Sequence, residues 1–184
     1  EMQRSLVGSE MCIRDRDRSV KMAIRTIRLK GDEILTKKAK KIEVIDEKIK
    51  VLAQDMLDTM YANDGIGLAA CQVGMLKSMV VYDSKYIEDT DSKGRKITPI
   101  KEPHILINPK ITYKSKAMVE VEEGCLSFPN EFENVLRHEK IKVEYTDING
   151  KKVTKTVSQM EAVVIQHELD HLDGIVFLDR AEKK

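Results

Sequence analysis

The sequence predicts a single globular domain that mixes two helices with several short strands. Its 184 residues suit one domain with one core. Two stretches, after Asp46 and after Ser158, carry apolar residues at helical spacing. Short apolar runs bounded by turn residues lie between them and read as strands.

Composition narrows the class further. Hydrophobic residues make up 41% and charged residues 34%, so the chain is expected to be globular and soluble rather than disordered. The formal net charge of +1 gives no reason to expect specific binding to nucleic acid or to an anionic membrane. Lys and Glu are interspersed, as on a mixed solvated surface. No apolar run approaches the roughly 18 residues that a membrane span needs. Three cysteines, Cys12, Cys71 and Cys125, do not make a disulfide framework, and a reduced, cytoplasmic setting is expected.

Taken in order, residues 1–21 look foreign to the domain. Ser5 to Arg16 resembles translated sequencing-adapter DNA, and the leader is read as non-native or disordered, with the natural start at Met22. It lacks the apolar segment of a secretion signal. Residues 23–45 read as an extended arm with a turn at Gly31-Asp32. Asp46 is a fitting N-cap for a helix carrying Ile49, Leu52, Ala53, Met56, Leu57 and Met60, which ends near Asn63-Asp64-Gly65.

The run Gly65 to Gly74 follows. Its two glycines and two alanines allow close approach to a strand or a ligand, and it lacks the Lys-Ser/Thr of a phosphate loop. Met79 to Tyr82 reads as a strand, and residues 87–102 as a loop or hairpin tip. Residues 105–113 and 117–121 read as strands, with Pro129 ending regular pairing. Ile141 to Tyr145 alternates, Asn149-Gly150 makes a hairpin turn, and Lys152 to Val157 returns. Ser158 and Glu161 fit a capping box for the second helix, which stops at Gly174. The tail starts apolar and ends charged.

That second helix carries Gln166-His167-Glu168-Leu169-Asp170-His171, an H-E-x-x-H pattern. On a helix, His167 and His171 share one face and can hold one metal ion, and Glu168 can reach a water on that ion as general base. A chance match on a charged surface helix is the plain alternative. A further ligand is needed. Carboxylates are plentiful, and Cys125, after a strand and before a proline, could turn a thiolate toward a cleft. Cys71, between Ala70 and Gln72, reads as a small buried hydrophobe.

Three motifs together resemble a known family. Gly65-Ile66-Gly67-Leu68-Ala69-Ala70-Cys71-Gln72, Glu123-Gly124-Cys125-Leu126-Ser127 and Gln166 to His171 are similar to the three motifs of peptide deformylases, in the same order. The resemblance covers residues 22–184 as one catalytic domain. It implies an α+β fold in which antiparallel β-sheets wrap around a central helix carrying H-E-x-x-H. It implies a metal held by Cys125, His167 and His171. The metal is Fe2+, with Ni2+, Co2+ or Zn2+ able to substitute. The implied reaction removes the N-formyl group from the initiator methionine of nascent proteins and releases formate. Glu168 is then the general base, and the Gln72 amide and Leu126 N–H stabilise the developing oxyanion. Gly67 lets the peptide backbone lie close. Ile66, Val121, Met160, Val163 and Val164 are the implied methionine pocket, although ordinary core packing explains such residues equally well. The implied partners are N-formyl-methionyl nascent peptides and the ribosome near its exit tunnel.

Residues 130–134 depart from the family's small glycine-containing turn, and His138 stands where proline is usual, which puts the shape of the entry rim in question. His138 is read as a surface residue. Two rival readings use the same helix. An H-E-x-x-H metallopeptidase would take its third ligand downstream, where residues 172–184 offer only carboxylates. A non-catalytic zinc-stabilised binding domain would need a fourth protein ligand, and His104 and His138 are the only other histidines.

Overall fold

A computed structural model describes residues 23–86, 89–90, 96–97 and 101–181. The expectation for residues 1–21 falls outside this range. Helix α1 (Glu47–Ala62) begins where the sequence places it. The Asp46 carboxylate accepts from the Ile49 N–H at 3.0 Å, which satisfies one of the free donors at the helix start. The predicted apolar stripe from Ile49 to Met60 is buried along its length.

The strands, in chain order among the described residues, are β1 (Gly67–Ala69), β2 (Met79–Tyr82), β3 (Asp89–Thr90), β4 (Lys96–Ile97), β5 (His104–Lys114), β6 (Met118–Cys125), β7 (Phe128–His138), β8 (Lys140–Thr146) and β9 (Lys152–Ser158). Helix α2 (Gln159–Leu172) and the short helix α3 (Phe177–Ala181) complete the chain. Strands β1-β2-β5-β8-β9 form one antiparallel sheet, while β3–β4 and β6–β7 are separate hairpins. The fold is α+β, as expected.

Because side chains alternate across a strand, this sheet is buried on both faces. Leu68, Met79, Val81 and Ile107 meet α1. Ala69, Val80, Tyr82 and Leu106 join Ile141, Val143 and Val157 against Ala162, Val164 and Ile165 of α2. Each large apolar side chain so enclosed contributes about 1.5–3 kcal/mol. A third, smaller cluster, Leu35, Phe128, Val135 and Phe177, ties the β6–β7 hairpin to α3. Helix α2 is therefore enclosed by the sheet, the hairpin and the C-terminal helix.

Several local expectations need correction. Residues 23–45 are not wholly extended: Glu33–Thr36 form a 3₁₀ turn capped by the Asp32 carboxylate. Residues 65–74, for which the sequence predicts no element, contain a strand, β1, followed by a 3₁₀ turn at Ala70–Val73. Pro129 does not end pairing. Cys125 pairs with Phe128, the register shifts across Pro129 to Glu131, and pairing resumes with Gly124 opposite Phe132. Proline lacks the N–H of a ladder, and a bulge accommodates that without closing the strand.

The β8–β9 turn is longer than two residues. The Asp147 carboxylate accepts from the Asn149 and Lys151 N–H groups, and Gly150 takes a positive φ. Ser158 occupies the N-cap of α2 but caps nothing with its side chain. It is still paired to Lys140 as the last residue of β9, and Glu161 is drawn to Lys155 and Tyr82 instead.

Gly174 closes α2 with φ +73, and a Cβ there would run into the Thr36 carbonyl. Gly174→Ala therefore combines left-handed strain with a backbone clash. It is expected to cost about 2 kcal/mol or more, a fall in Tm of roughly 4–8 °C for a chain of this size. Thermal unfolding checks this, and an unchanged Tm would contradict it.

Candidate metal centre and its cleft

Two elements bring one sulfur and two imidazoles together. Cys125 ends β6, and His167 and His171 lie one turn apart on α2. One ligand atom from each lies within 4.8 Å of the others. The Cys125 Sγ is 3.2 Å from His171 Nε2. Donors of a tetrahedral ion with the usual metal–sulfur and metal–nitrogen bonds stand about 3.4–3.6 Å apart, so the group can hold a metal ion. No fourth residue joins this group among the described residues.

The imidazoles are oriented from outside. His167 Nδ1 meets Glu123 Oε2 at 2.8 Å, which leaves Nε2 for the centre. Glu123 in turn takes both arms of Arg137, at 2.6 and 2.8 Å, and Arg137 Nη1 donates to Asp170 at 2.6 Å. Arg180 donates twice to Asp170, at 3.0 and 2.6 Å. Burial works against ionised Glu123, but the Arg137 fork and His167 outweigh it and hold the carboxyl near a pKa of about 2.

The two imidazoles differ. Burial lowers the pKa of His171 well below the ordinary value. Burial also opposes the His167 imidazolium, but the Cys125 sulfur and Glu123 prevail and raise its pKa to about 10. One positive charge is thus favoured in the cluster.

Glu168 is 4% exposed, and its Oε2 has no hydrogen-bond partner among the described residues. Burial pushes its carboxyl up to about 7. Gly67 faces it, and a Cβ at that position would run into the Glu168 carboxylate. Gln72 is buried. Its carbonyl accepts from the Ala69 N–H at 2.8 Å, and its amide nitrogen points to Cys125 Sγ at 3.3 Å and Ser127 Oγ at 3.1 Å. The Leu126 N–H donates to no group among the described residues. Cys71 stands behind the centre. Its thiol donates to the His171 carbonyl at 3.4 Å, and burial pushes its pKa up to about 12, so it stays protonated.

These groups open on a cleft of about 590 Å³. Ile66, Gly67, Gln72, Val121, Cys125, Leu126, Met160, Val163, Val164, His167 and Glu168 all line it, while His171 lies just beneath. The five residues expected to form an apolar pocket thus share one wall system with the donors. His138 does not: its Nδ1 bonds the Ser115 carbonyl, and it faces a different cavity.

Sequence reasoning missed Ser127 and the roles of Glu123, Arg137, Asp170 and Arg180, and it flagged the rim, here residues 128–132, only as a departure at residues 130–134. The second motif contains both Ser127 and Glu123 but gave neither a role. Nothing near Arg137 or Arg180 signalled that either reaches the centre. The rim overlaps the segment that departs from the family pattern, here part of β7 rather than a turn, and it places Phe132, 63% exposed, at the mouth.

Comparison with known proteins agrees on one family. The polypeptide deformylase model matches residues 24–184. The peptide deformylase of Finegoldia magna is 45% identical over 159 residues, covering 86% of this chain and 90% of that protein. The crystal structure of the Thermotoga maritima peptide deformylase superposes with a TM-score of 0.76 at 37% identity, covering 85% of this chain and 97% of that one. The Met-Ala-Ser-bound class I type b peptide deformylase of Acinetobacter baumannii gives a TM-score of 0.76 at 30% identity, covering 86% and 99%.

The contact between Gly67 and Glu168 yields a direct expectation. Gly67→Ala should fold, because β1 needs no special φ there, yet push the Glu168 carboxylate away from β1. A crystal structure of the variant checks this, and an unmoved carboxylate would contradict it.

Proposed function

We infer the work of each site residue from one premise: this chain belongs to the polypeptide deformylase family. It is a hydrolase that removes the formyl group from nascent peptides, acting on a linear formamide bond, and the family is one of metalloenzymes. We propose that Cys125, His167 and His171 hold the ion. The crowded donor set supports this most directly. The ion is Fe2+ by family resemblance, and a sulfur with two imidazoles also accepts Ni2+, Co2+ or Zn2+. Bound there, it supplies an activated water and a Lewis acid for the formyl oxygen.

The chain's own groups carry the remaining work. Glu168, buried and raised to about 7, accepts a proton from the attacking water. As the formyl carbon becomes tetrahedral its oxygen gains charge. The Gln72 amide, turned toward Cys125, and the free Leu126 N–H are the donors placed to stabilise it. When the C–N bond breaks, Glu168 returns its proton to the departing amine, leaving formate and a free methionine N-terminus. Gly67 makes room for Glu168 as well as for the peptide backbone.

Ile66, Val121, Met160, Val163 and Val164 form the apolar wall that takes the methionine side chain. The A. baumannii relative has Met-Ala-Ser bound, which supports a peptide that begins with methionine as the ligand of this cleft. The enzyme meets its substrate in the cytoplasm, near the ribosomal exit tunnel, where nascent chains emerge. Among the described residues no helix is long and apolar enough to cross a membrane. Catalysis is assigned to residues 22–184, in keeping with the family match from residue 24, and residues 1–21 take no part in it. The metallopeptidase reading gives way to the family, and the binding-domain reading finds no fourth ligand among the described residues.

Formate release from formyl-Met-Ala-Ser tests these roles. Glu168→Gln keeps the size and removes the base. It should keep its metal and lose about 10⁴-fold in kcat, the upper end of the range for a positioned acid–base group. Gln72→Ala removes one oxyanion donor and should lose about 10²–10³-fold with the base intact. A Glu168→Gln enzyme that keeps more than roughly a tenth of its turnover at full metal occupancy would rule out the general-base role.

A further inference from the structure

We propose that the C-terminal helix α3 is a positioning element of the metal centre and acts on His167 through Arg180. This rests on the reading that Cys125, His167 and His171 hold the ion. The argument starts from a shared carboxylate oxygen. Glu123 Oε2 accepts from both Arg137 Nη2 and His167 Nδ1, at 2.8 Å each. Any shift of the Arg137 fork therefore moves the group that fixes the His167 ring. Arg137 is 4% exposed, and its third arm goes to Asp170 Oδ2. That same oxygen also accepts from Arg180 Nε, while Asp170 Oδ1 accepts from Arg180 Nη2 at 2.6 Å. Five side chains, from Arg180 at the surface to the ligand His167, form one unbroken line of charge-assisted hydrogen bonds.

Isolated surface ion pairs have little effect. Arg180 differs in three respects. Its contact with Asp170 is a two-armed fork, Asp170 itself is buried, and a second guanidinium shares the carboxylate. Removing Arg180 leaves Asp170 Oδ1 without this partner and frees the carboxylate to turn, and its turning pulls on Arg137. Helix α3 also supports His167 from a second side. The Phe177 ring, 1% exposed, lies 6.0 Å from the His167 ring at a tilt of 30° and packs edge-on against Phe128. Partners beyond the first ring of ligands orient those ligands and change metal affinity measurably.

The test uses the full chain loaded with Co2+. Transfer of Co2+ to a competing chelator gives affinity, the thiolate-to-cobalt absorption reports ligand geometry, and Tm is measured on the same samples. The variants are Arg180→Ala, Arg180→Lys and, as a control, Lys38→Ala, whose exposed pair with Asp173 lies at the same end of α2. Arg180→Ala should bind Co2+ about 10-fold more weakly with an altered absorption band, Arg180→Lys should recover part of this, and Lys38→Ala should stay within about twofold of wild type. Wild-type affinity and an unchanged band in Arg180→Ala would overturn the proposal. So would a loss that tracks Tm alike in all three variants. Should Arg180→Ala fail to fold, Arg180→Lys decides: a weakened affinity at wild-type Tm supports the proposal, and wild-type affinity overturns it. A wild-type chain that binds no Co2+ would instead defeat the metal reading itself.

Discussion

A buried carboxylate, Glu123, clamped between a guanidinium and an imidazole, is the constraint on which the rest of this structure depends. Glu123 lies on β6, Arg137 on β7, and His167 and Asp170 on α2. Buried charges are costly unless each is paired and hydrogen-bonded. Here Glu123 and Arg137 are buried, and both are satisfied only when the β6–β7 hairpin is seated on α2 in one register. That seating carries Cys125, two residues past Glu123, to the two histidines. The network therefore serves geometry more than stability. Apolar residues of similar volume would hold hairpin and helix together as well, but would not orient His167.

The apolar cores make the same point from the other direction. The sheet is covered by α1 on one face and α2 on the other, so α2 cannot roll without exposing Val164 and Ile165. Its remaining face turns His167, Glu168 and His171 toward the first and second motifs. Gly67 and Gly124 have no side chain where Glu168 and the Phe132 ring respectively come close. Close approach, rather than flexibility, is why glycine stands at these two positions.

How much of this could be read from the chain alone depended on range. Helix α1 was legible to the residue at its start, because Asp46 and the stripe from Ile49 to Met60 are local signals. The H-E-x-x-H face was legible for the same reason. The capping box at Ser158 misled, because Lys155 and Tyr82, neither visible as a partner in sequence, compete for Glu161. Pro129 misled because a bulge can absorb a missing N–H. The second ring of partners was silent altogether. Arg137 and Arg180 look like any surface cations until the fold places 33 and 10 residues of separation across one Asp170 carboxylate. Cys125 was found as a ligand candidate from its neighbours, but its preference over a carboxylate came from the family motif.

Family membership accounts for the reaction, and the proposed account of how this chain performs it rests on the convergence of one sulfur and two imidazoles. The contrast between Cys125 and Cys71 tests that account most directly. Metal content and formate release are measured together for Cys125→Ala and Cys71→Ala, each at matched Tm. Cys125→Ala should lose metal and activity together, whereas Cys71→Ala, a thiol held protonated behind the centre, should keep both. Equal metal retention by the two variants would contradict the account.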